Sequence, residues 1–258
     1  MTVTFIAHSA FLVEWEKFYT LFDYTYEPDY TGALPELSGD KPLLVFSSHS
    51  HEDHFDAKAF TLLEKYPDAR FFVSRDTRLT ERKRQWLNIS DAAFARTTVL
   101  RPDSILLTDV AGEDLSIRAI KSTDIGNAYL LRCEGKMVYH GGDLNWWDWK
   151  SEGEAYCNNM AAHYRTAIEK LASAVENEAT DNAIAPEITA AMAPLDPRLG
   201  EGSEGLGIEE LMRQIKVQHV FPMHMWKKYE VIDHYLAAHP TQKDAIARIT
   251  REGESFVI

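Results

Sequence analysis

Four side chains able to bind a transition metal fall within six residues: His49, His51, Asp53 and His54, in the run Ser48-His49-Ser50-His51-Glu52-Asp53-His54. Neutral imidazole is the commonest ligand for such metals, and a carboxylate adds charge and an oxygen donor. Alternation sends His49 and His51 to one side, and the turn that follows sends Asp53 and His54 to another. That arrangement suits two neighbouring divalent cations. Two further candidates lie far along the chain. Asp143 closes Tyr139-His140-Gly141-Gly142-Asp143, where paired glycines let the backbone turn sharply after a strand. His224 closes Phe221-Pro222-Met223-His224 at the end of another. A divalent cation held by such residues lowers the pKa of bound water towards roughly 7 and polarises a carbonyl or phosphoryl oxygen, so that no protein nucleophile is needed. Asp53 would then serve twice, as ligand and as the group that orients the attacking water. There is no Gly-x-Ser-x-Gly, phosphate-binding Gly-rich loop or dinucleotide fingerprint to support acyl-enzyme or nucleotide chemistry.

The elements around these residues are of the kind that hold side chains still. Pro42-Leu43-Leu44-Val45-Phe46 reads as a buried strand leading into the histidine run, and Asp56 can cap a helix from Ala57 to about Tyr66. Val3–Ile6, Ala10–Trp15 and Phe18–Phe22 read as a strand followed by a hairpin, and residues 25–42, with Pro28, Pro35 and Pro42, as a long loop. The spacing predicts a helix over Asp76–Trp86, then strands over 97–100, 104–108, 115–120, 128–133 and 136–140. A long helix over 156–178 follows, then a short buried strand over 190–194. A helix over 208–216, a strand over 217–222 delivering His224, a helix over 228–238 and a terminal strand over 256–258 complete the chain.

The run His49-Ser50-His51-Glu52-Asp53-His54 matches the His-x-His-x-Asp-His signature of the metallo-β-lactamase-fold hydrolases. The order of the later signals resembles that superfamily over most of the chain. The short opening strand, the Ala7-His8-Ser9 turn and the hairpin look closest to its lactonase-like branch. The resemblance implies an α/β fold, an αββα four-layer sandwich, as a single domain over residues 1–258. It also implies up to two metals, with His49 and His51 in a first site, Asp53, His54 and His224 in a second, and Asp143 bridging them. The activity implied is metal-dependent hydrolysis of a small-molecule ester, lactone or phosphodiester, with Asp53 catalytic.

One departure bears on that picture. The family's third histidine is missing: Lys121-Ser122-Thr123-Asp124-Ile125-Gly126-Asn127 holds none, and the slot falls on Thr123 or a neighbour. Threonine is a poor zinc ligand. Asp124 could substitute through oxygen, which favours a harder metal such as Mn²⁺, or could be a turn residue bonded to its own backbone. The second site is therefore expected to be the better formed, with one or two ions per chain, zinc first and manganese or iron as alternatives. The same gap keeps two other readings open: a regulatory binding module without turnover, and an iron-dependent oxidoreductase on the same scaffold. Substrate contacts are expected from His8, from Asp124, from Trp146 among Trp146, Trp147 and Trp149, and from Arg198 towards an anionic group.

The formal net charge of −13 argues against nucleic acid and anionic membranes as partners but does not identify a substrate; the small-molecule substrate is what the resemblance implies. Two cysteines suggest no disulfide framework, the first residues read as a strand and not a leader, and no apolar run reaches membrane-spanning length. The expected location is cytoplasmic, and a homo-oligomer stays open.

Overall fold

Period-two alternation in the first hundred residues sends apolar side chains to both faces of one sheet. Leu44, Phe46 and Phe72 face one hydrophobic layer, whereas Leu43, Val45 and Phe71 face another. The structure is a computed structural model that describes residues 1–26, 29 and 31–258. Pro28, one mark of the long loop, lies outside them.

The strands are β1 (Thr2–Ala7), β2 (Ala10–Glu14), β3 (Tyr19–Phe22), β4 (Leu43–Ser47), β5 (Arg70–Ser74), β6 (Thr97–Leu100), β7 (Ile105–Val110), β8 (Glu113–Lys121), β9 (Asn127–Cys133), β10 (Lys136–His140), β11 (Glu187–Pro194), β12 (Lys216–Met223) and β13 (Glu254–Val257). They form two sheets, ordered β13-β1-β2-β3-β4-β5-β6 and β12-β11-β10-β9-β8-β7. β3 to β6 run parallel, as do β10 to β12, and the remaining pairs are antiparallel. The main core lies between the sheets. Phe22, Phe46 and Phe72 stack in succession, with centroids 5.1 and 4.9 Å apart, and meet Tyr129, Tyr139 and Phe221 of the other sheet in one buried cluster.

Helices cover the outer faces. α1 (Thr61–Lys65), α2 (Glu81–Trp86) and α3 (Asp91–Ala95) lie on the side of the first sheet, where Leu62, Leu63 and Ala93 join the second core cluster. α4 (Glu154–Asn182), α5 (Leu206–Gln214) and α6 (Glu230–Ala238) add Ile168, Leu171, Ile208, Leu211, Ile232 and Leu236 to the main cluster. Helix, sheet, sheet, helix is the αββα sandwich. Among the described residues no helix is long and apolar enough to cross a membrane.

Four elements differ from their sequence reading. Asp56 does cap, accepting from Lys58 N at 2.8 Å, but it caps a 3₁₀ turn over Ala57–Phe60 that then runs into α1. The helix expected over 76–86 is broken: Arg78 takes a left-handed φ of 48°, and α2 starts afresh under a Thr80 cap. Ser90 caps a further short helix, α3, that sequence reading did not anticipate. The short strand near 190–194 is the C-terminal part of the longer β11.

α4 is tied to the second sheet by charge as well as by packing. Glu178 receives Ser116 Oγ at 2.7 Å, Arg118 Nε at 2.5 Å and Arg132 Nε at 3.2 Å. Burial alone would raise its pKa, but these donors outweigh burial and hold it below the ordinary glutamate value. A depressed native pKa stabilises the fold above the unfolded-state value and loses that contribution as pH falls through the native one. Glu178→Gln should therefore cost roughly 2 kcal/mol near pH 7. Denaturant titration across pH should show the gap between the two proteins narrowing below about pH 4.5; a pH-independent gap would contradict the account.

Candidate metal centre

β4 ends at Ser47, and the next residues turn the histidine run towards the C-terminal ends of both sheets. β10 delivers Asp143 to the same place and β12 delivers His224. The ligand atoms fall into two groups, each with all members within 4.8 Å of one another: His49, His51, Asp124 and Asp143, and His8, Asp53, His54 and His224. In the first, His49 Nε2 lies 2.9 Å from His51 Nδ1 and 3.6 Å from Asp143 Oδ2, and His51 Nδ1 lies 3.6 Å from Asp124 Oδ2. In the second, Asp53 Oδ2 lies 3.2 Å from His8 Nε2, 3.7 Å from His54 Nε2 and 3.9 Å from His224 Nε2. Asp143 turns its other oxygen, Oδ1, to this group, 3.2 Å from His54 Nε2 and 3.6 Å from His224 Nε2. One carboxylate thus faces both groups.

These residues fit a pair of divalent ions. His54 Nε2 and Asp143 Oδ1 are buried and face each other across 3.2 Å, and neither has an aligned hydrogen bond from any other described group. Buried polar atoms without partners are rare unless something else binds them. The donor set is imidazole nitrogen and carboxylate oxygen, with no thiolate, which suits zinc, manganese and iron.

The surroundings set different protonation states on the ligand side chains. Burial lowers the His8 pKa to about 4, aided by neighbouring His224 and His54 and only partly opposed by Asp53. Burial likewise lowers His49 to about 4, with His54 adding to the effect. Both rings are neutral at pH 7, with a nitrogen lone pair to give. Burial would also lower His54, but Asp143 and Asp23 carry it well above the ordinary value. Burial opposes ionisation of Asp53 and Asp143, but the histidines facing them keep both carboxyls well below the carboxylate range. Asp124 moves the other way, raised by burial and by the charge on Asp143.

A second layer of carboxylates fixes the ligands. Asp23, immediately after β3, accepts from Ser48 N, Ser48 Oγ and His54 Nδ1, each at 2.7 Å. Asp196, two residues after β11, accepts from His224 Nδ1 at 2.8 Å, and Asp76 accepts from Ser50 N at 2.7 Å. A carboxylate on the far nitrogen sets the tautomer and raises the basicity of a ligating imidazole. Sequence reading missed all three in this role. Their signal was available for all three: an aspartate just past a strand's C-terminal end, the position that singled out Asp143.

Backbone geometry adds to the constraint. His8, Asp23 and His224 all adopt left-handed φ, at 45°, 45° and 64°. Such conformations cost on the order of 1–3 kcal/mol each, and they persist only where the surroundings enforce them. His224 N donates to His8 O at 3.1 Å, which couples two of the strained residues directly. Gly126, at φ 76°, lets the Asp124 loop lie on the histidine loop; a Cβ there would come within 2.2 Å of Ser48 O and 2.5 Å of His49 Cβ.

The sequence candidates divide as follows. The structure gathers His49, His51, Asp53, His54, Asp143 and His224. His8 and Asp124, expected at the substrate, join them as potential ligands, and Asp124 occupies the slot left by the absent histidine. Thr123 is turned away, donating from Oγ1 to Asn145 O at 2.7 Å. Trp146, expected to wall a substrate pocket, does not line the cavity at the centre. Its indole packs on Tyr164 and under Arg165, whose guanidinium sits 4.6 Å from the ring. Arg198 is no free anion contact either. It forks onto Asp196, with Nε 3.0 Å from both oxygens and Nη2 2.6 Å from Oδ2, and lies 4.4 Å over the Trp226 ring. Trp226, which was not a candidate, lines the cavity and stands 4.6 Å from His8. That cavity, of about 860 Å³, opens onto His8, His51 and Asp53.

Residues 2–150 match the family model described as Beta-lactamase superfamily domain. No curated protein matches the chain. Among solved structures, the chain is similar to a metallo hydrolase from the hyperthermophilic archaeon Ignicoccus hospitalis, at 18% identity and TM-score 0.57, covering 100% of this chain and 98% of that one. It is similar to an isothiocyanate hydrolase from Delia radicum gut bacteria, at 13% identity and TM-score 0.53, covering 100% and 99%. It is also similar to CmlA, a diiron β-hydroxylase from Streptomyces venezuelae, at 11% identity and TM-score 0.60, covering 100% of this chain but 54% of that one. At these identities the likeness is one of fold.

With Asp143 facing both ligand groups, the expected loading is two ions per chain. Elemental analysis after reconstitution should approach that ratio, and Asp124→Ala should drop it towards one while the fold stays intact. A wild-type protein that never exceeds one ion would refute the pairing.

Proposed function

The chain belongs to the beta-lactamase superfamily, and from that premise we propose that it is a metal-dependent hydrolase acting on a small-molecule ester, lactone or phosphodiester. The observation that carries this reading is the convergence of two ligand groups around Asp143, beside a substrate-sized cavity that three of their members, His8, His51 and Asp53, line. Divalent ions held there would supply a Lewis acid for the substrate oxygen and would acidify water.

The chain's own residues do the rest. Asp53 belongs to the second ligand group and also lines the cavity, with its side chain 29% exposed. It can accept a hydrogen bond from the attacking water and hold it towards the substrate. Its depressed pKa keeps it an acceptor throughout the neutral range. Asp143, only 10% exposed in its side chain, is withdrawn from solvent and serves to fix the two groups relative to each other. Asp23 and Asp196 hold His54 and His224 in the tautomer that presents Nε2 to the centre. His51 is half exposed and stands where the substrate enters.

A second reading, iron-dependent oxidation, draws on the same nitrogen and oxygen donor set, which serves iron as well as zinc. Visible absorbance of iron-loaded protein, changed by a substrate and by O₂, would favour it.

The hydrolase reading is tested with protein loaded separately with Zn²⁺, Mn²⁺ and Fe²⁺ against ester, lactone and phosphodiester panels. Turnover is expected with at least one metal, and Asp53→Asn should reduce kcat/KM by about 100-fold or more. Full activity in that variant, or turnover unaffected by chelation, would overturn the mechanism.

A further inference from the structure

The cavity has features that the metal chemistry does not use. Beyond the ligands, Phe5, Trp226 and Tyr229 give it an aromatic lining. The charged side chains around them are Asp29, Glu52 and Glu252 against a single cation, Lys227, so the lining is net negative.

Glu252 is the unusual member. Its side chain is 3% exposed. Oε2 is fully engaged, accepting from Thr31 N and Thr31 Oγ1 at 2.5 Å and from Gly32 N at 3.2 Å. Oε1 is buried and has no hydrogen-bond donor among the described residues. Lys227 Nζ stands 3.9 Å from it, beyond hydrogen-bond reach, and gives its own bond to the Asp29 carbonyl. A buried carboxylate oxygen left without a donor is costly, and an incoming donor recovers that cost. Acidic surroundings favour a charged donor over a neutral one.

We propose that this cavity selects a substrate carrying a protonated amine, its N–H directed at Glu252 Oε1 and its carbon skeleton lying against Phe5, Trp226 and Tyr229. The amine would be the distal anchor, leaving the hydrolysable bond to reach Asp53. As a statement about substrate, this rests on the hydrolase reading. As a statement about binding, it can be tested without turnover.

The test is calorimetric titration of the full-length, zinc-loaded protein with phenethylamine and with its neutral counterpart 2-phenylethanol. The amine should bind at least tenfold more tightly, and the difference should shrink in high salt. Glu252→Gln should remove the difference. Lys227→Met, which takes away the neighbouring ammonium, should tighten the amine several-fold and leave the alcohol unchanged, and it remains informative if Glu252→Gln does not fold. Equal affinities in the wild type, a preference that survives Glu252→Gln, or a Lys227→Met protein with unchanged amine affinity would each overturn the proposal. An amine preference without turnover of any ester, lactone or phosphodiester would leave the binding site standing and remove the hydrolase reading. Turnover of neutral phenyl esters with no amine preference would do the reverse.

Discussion

Two carboxylates, Asp53 and Asp143, both face the imidazoles of His54 and His224, and their repulsion must be met by positive charge. Solvent reaches Asp53 from the cavity but hardly reaches Asp143, and protons on the surrounding imidazoles compensate only in part, since burial discharges His8 and His49. A pair of divalent ions meets the demand without protonating any ligand. Seen this way, the rest of the molecule is a frame that keeps two like charges together and arranges neutral nitrogens around them.

That frame draws on every level of the structure. Parallel strands end at the same edge, so residues from β4, β10, β11 and β12 arrive together although they are separated by up to some 180 positions in the chain. The outer aspartates, each receiving a ring or backbone N–H, prevent the imidazoles from rotating away. Left-handed backbone at His8, Asp23 and His224 is held by hydrogen bonds, His224 N to His8 O at 3.1 Å and Asp23 N to Phe46 O at 2.8 Å, and the core beside them is tightly packed. His140 shows the packing directly: it stacks on Phe22 at 4.8 Å, and its Nε2 lies 2.9 Å from Ser9 O.

Much of this was legible in the sequence, for identifiable reasons. The spacing of His49, His51, Asp53 and His54 is local, and so is the glycine pair before Asp143; local patterns survive without tertiary information. Strand alternation gave most of the strands for the same reason, whereas the two-sheet sandwich came from the family resemblance. What could not be read depends on distant partners. Asp23 and Asp196 look like ordinary strand-end residues until His54 and His224 are placed beside them. Trp146 has the composition of a pocket wall but the surroundings of a helix contact, against Tyr164 and Arg165. Asp124 could be read as ligand or turn residue, and only the approach of the Gly126 loop to His49 decides where it goes. The broken helix at Arg78 reflects two cap residues, Thr80 and Ser90, outcompeting a continuous charged pattern.

β13 pairs with β1 at the margin of the first sheet, and Ile258 N reaches back to Met1 O at 3.0 Å. His8 comes directly after β1. An imidazole of the centre is therefore anchored one strand in from the sheet's outermost seam, where native structure opens most readily. Linkage makes the relation mutual: occupancy of the second ligand group stiffens the seam where the two chain ends meet, and unzipping of that seam loosens the group's hold on its ion.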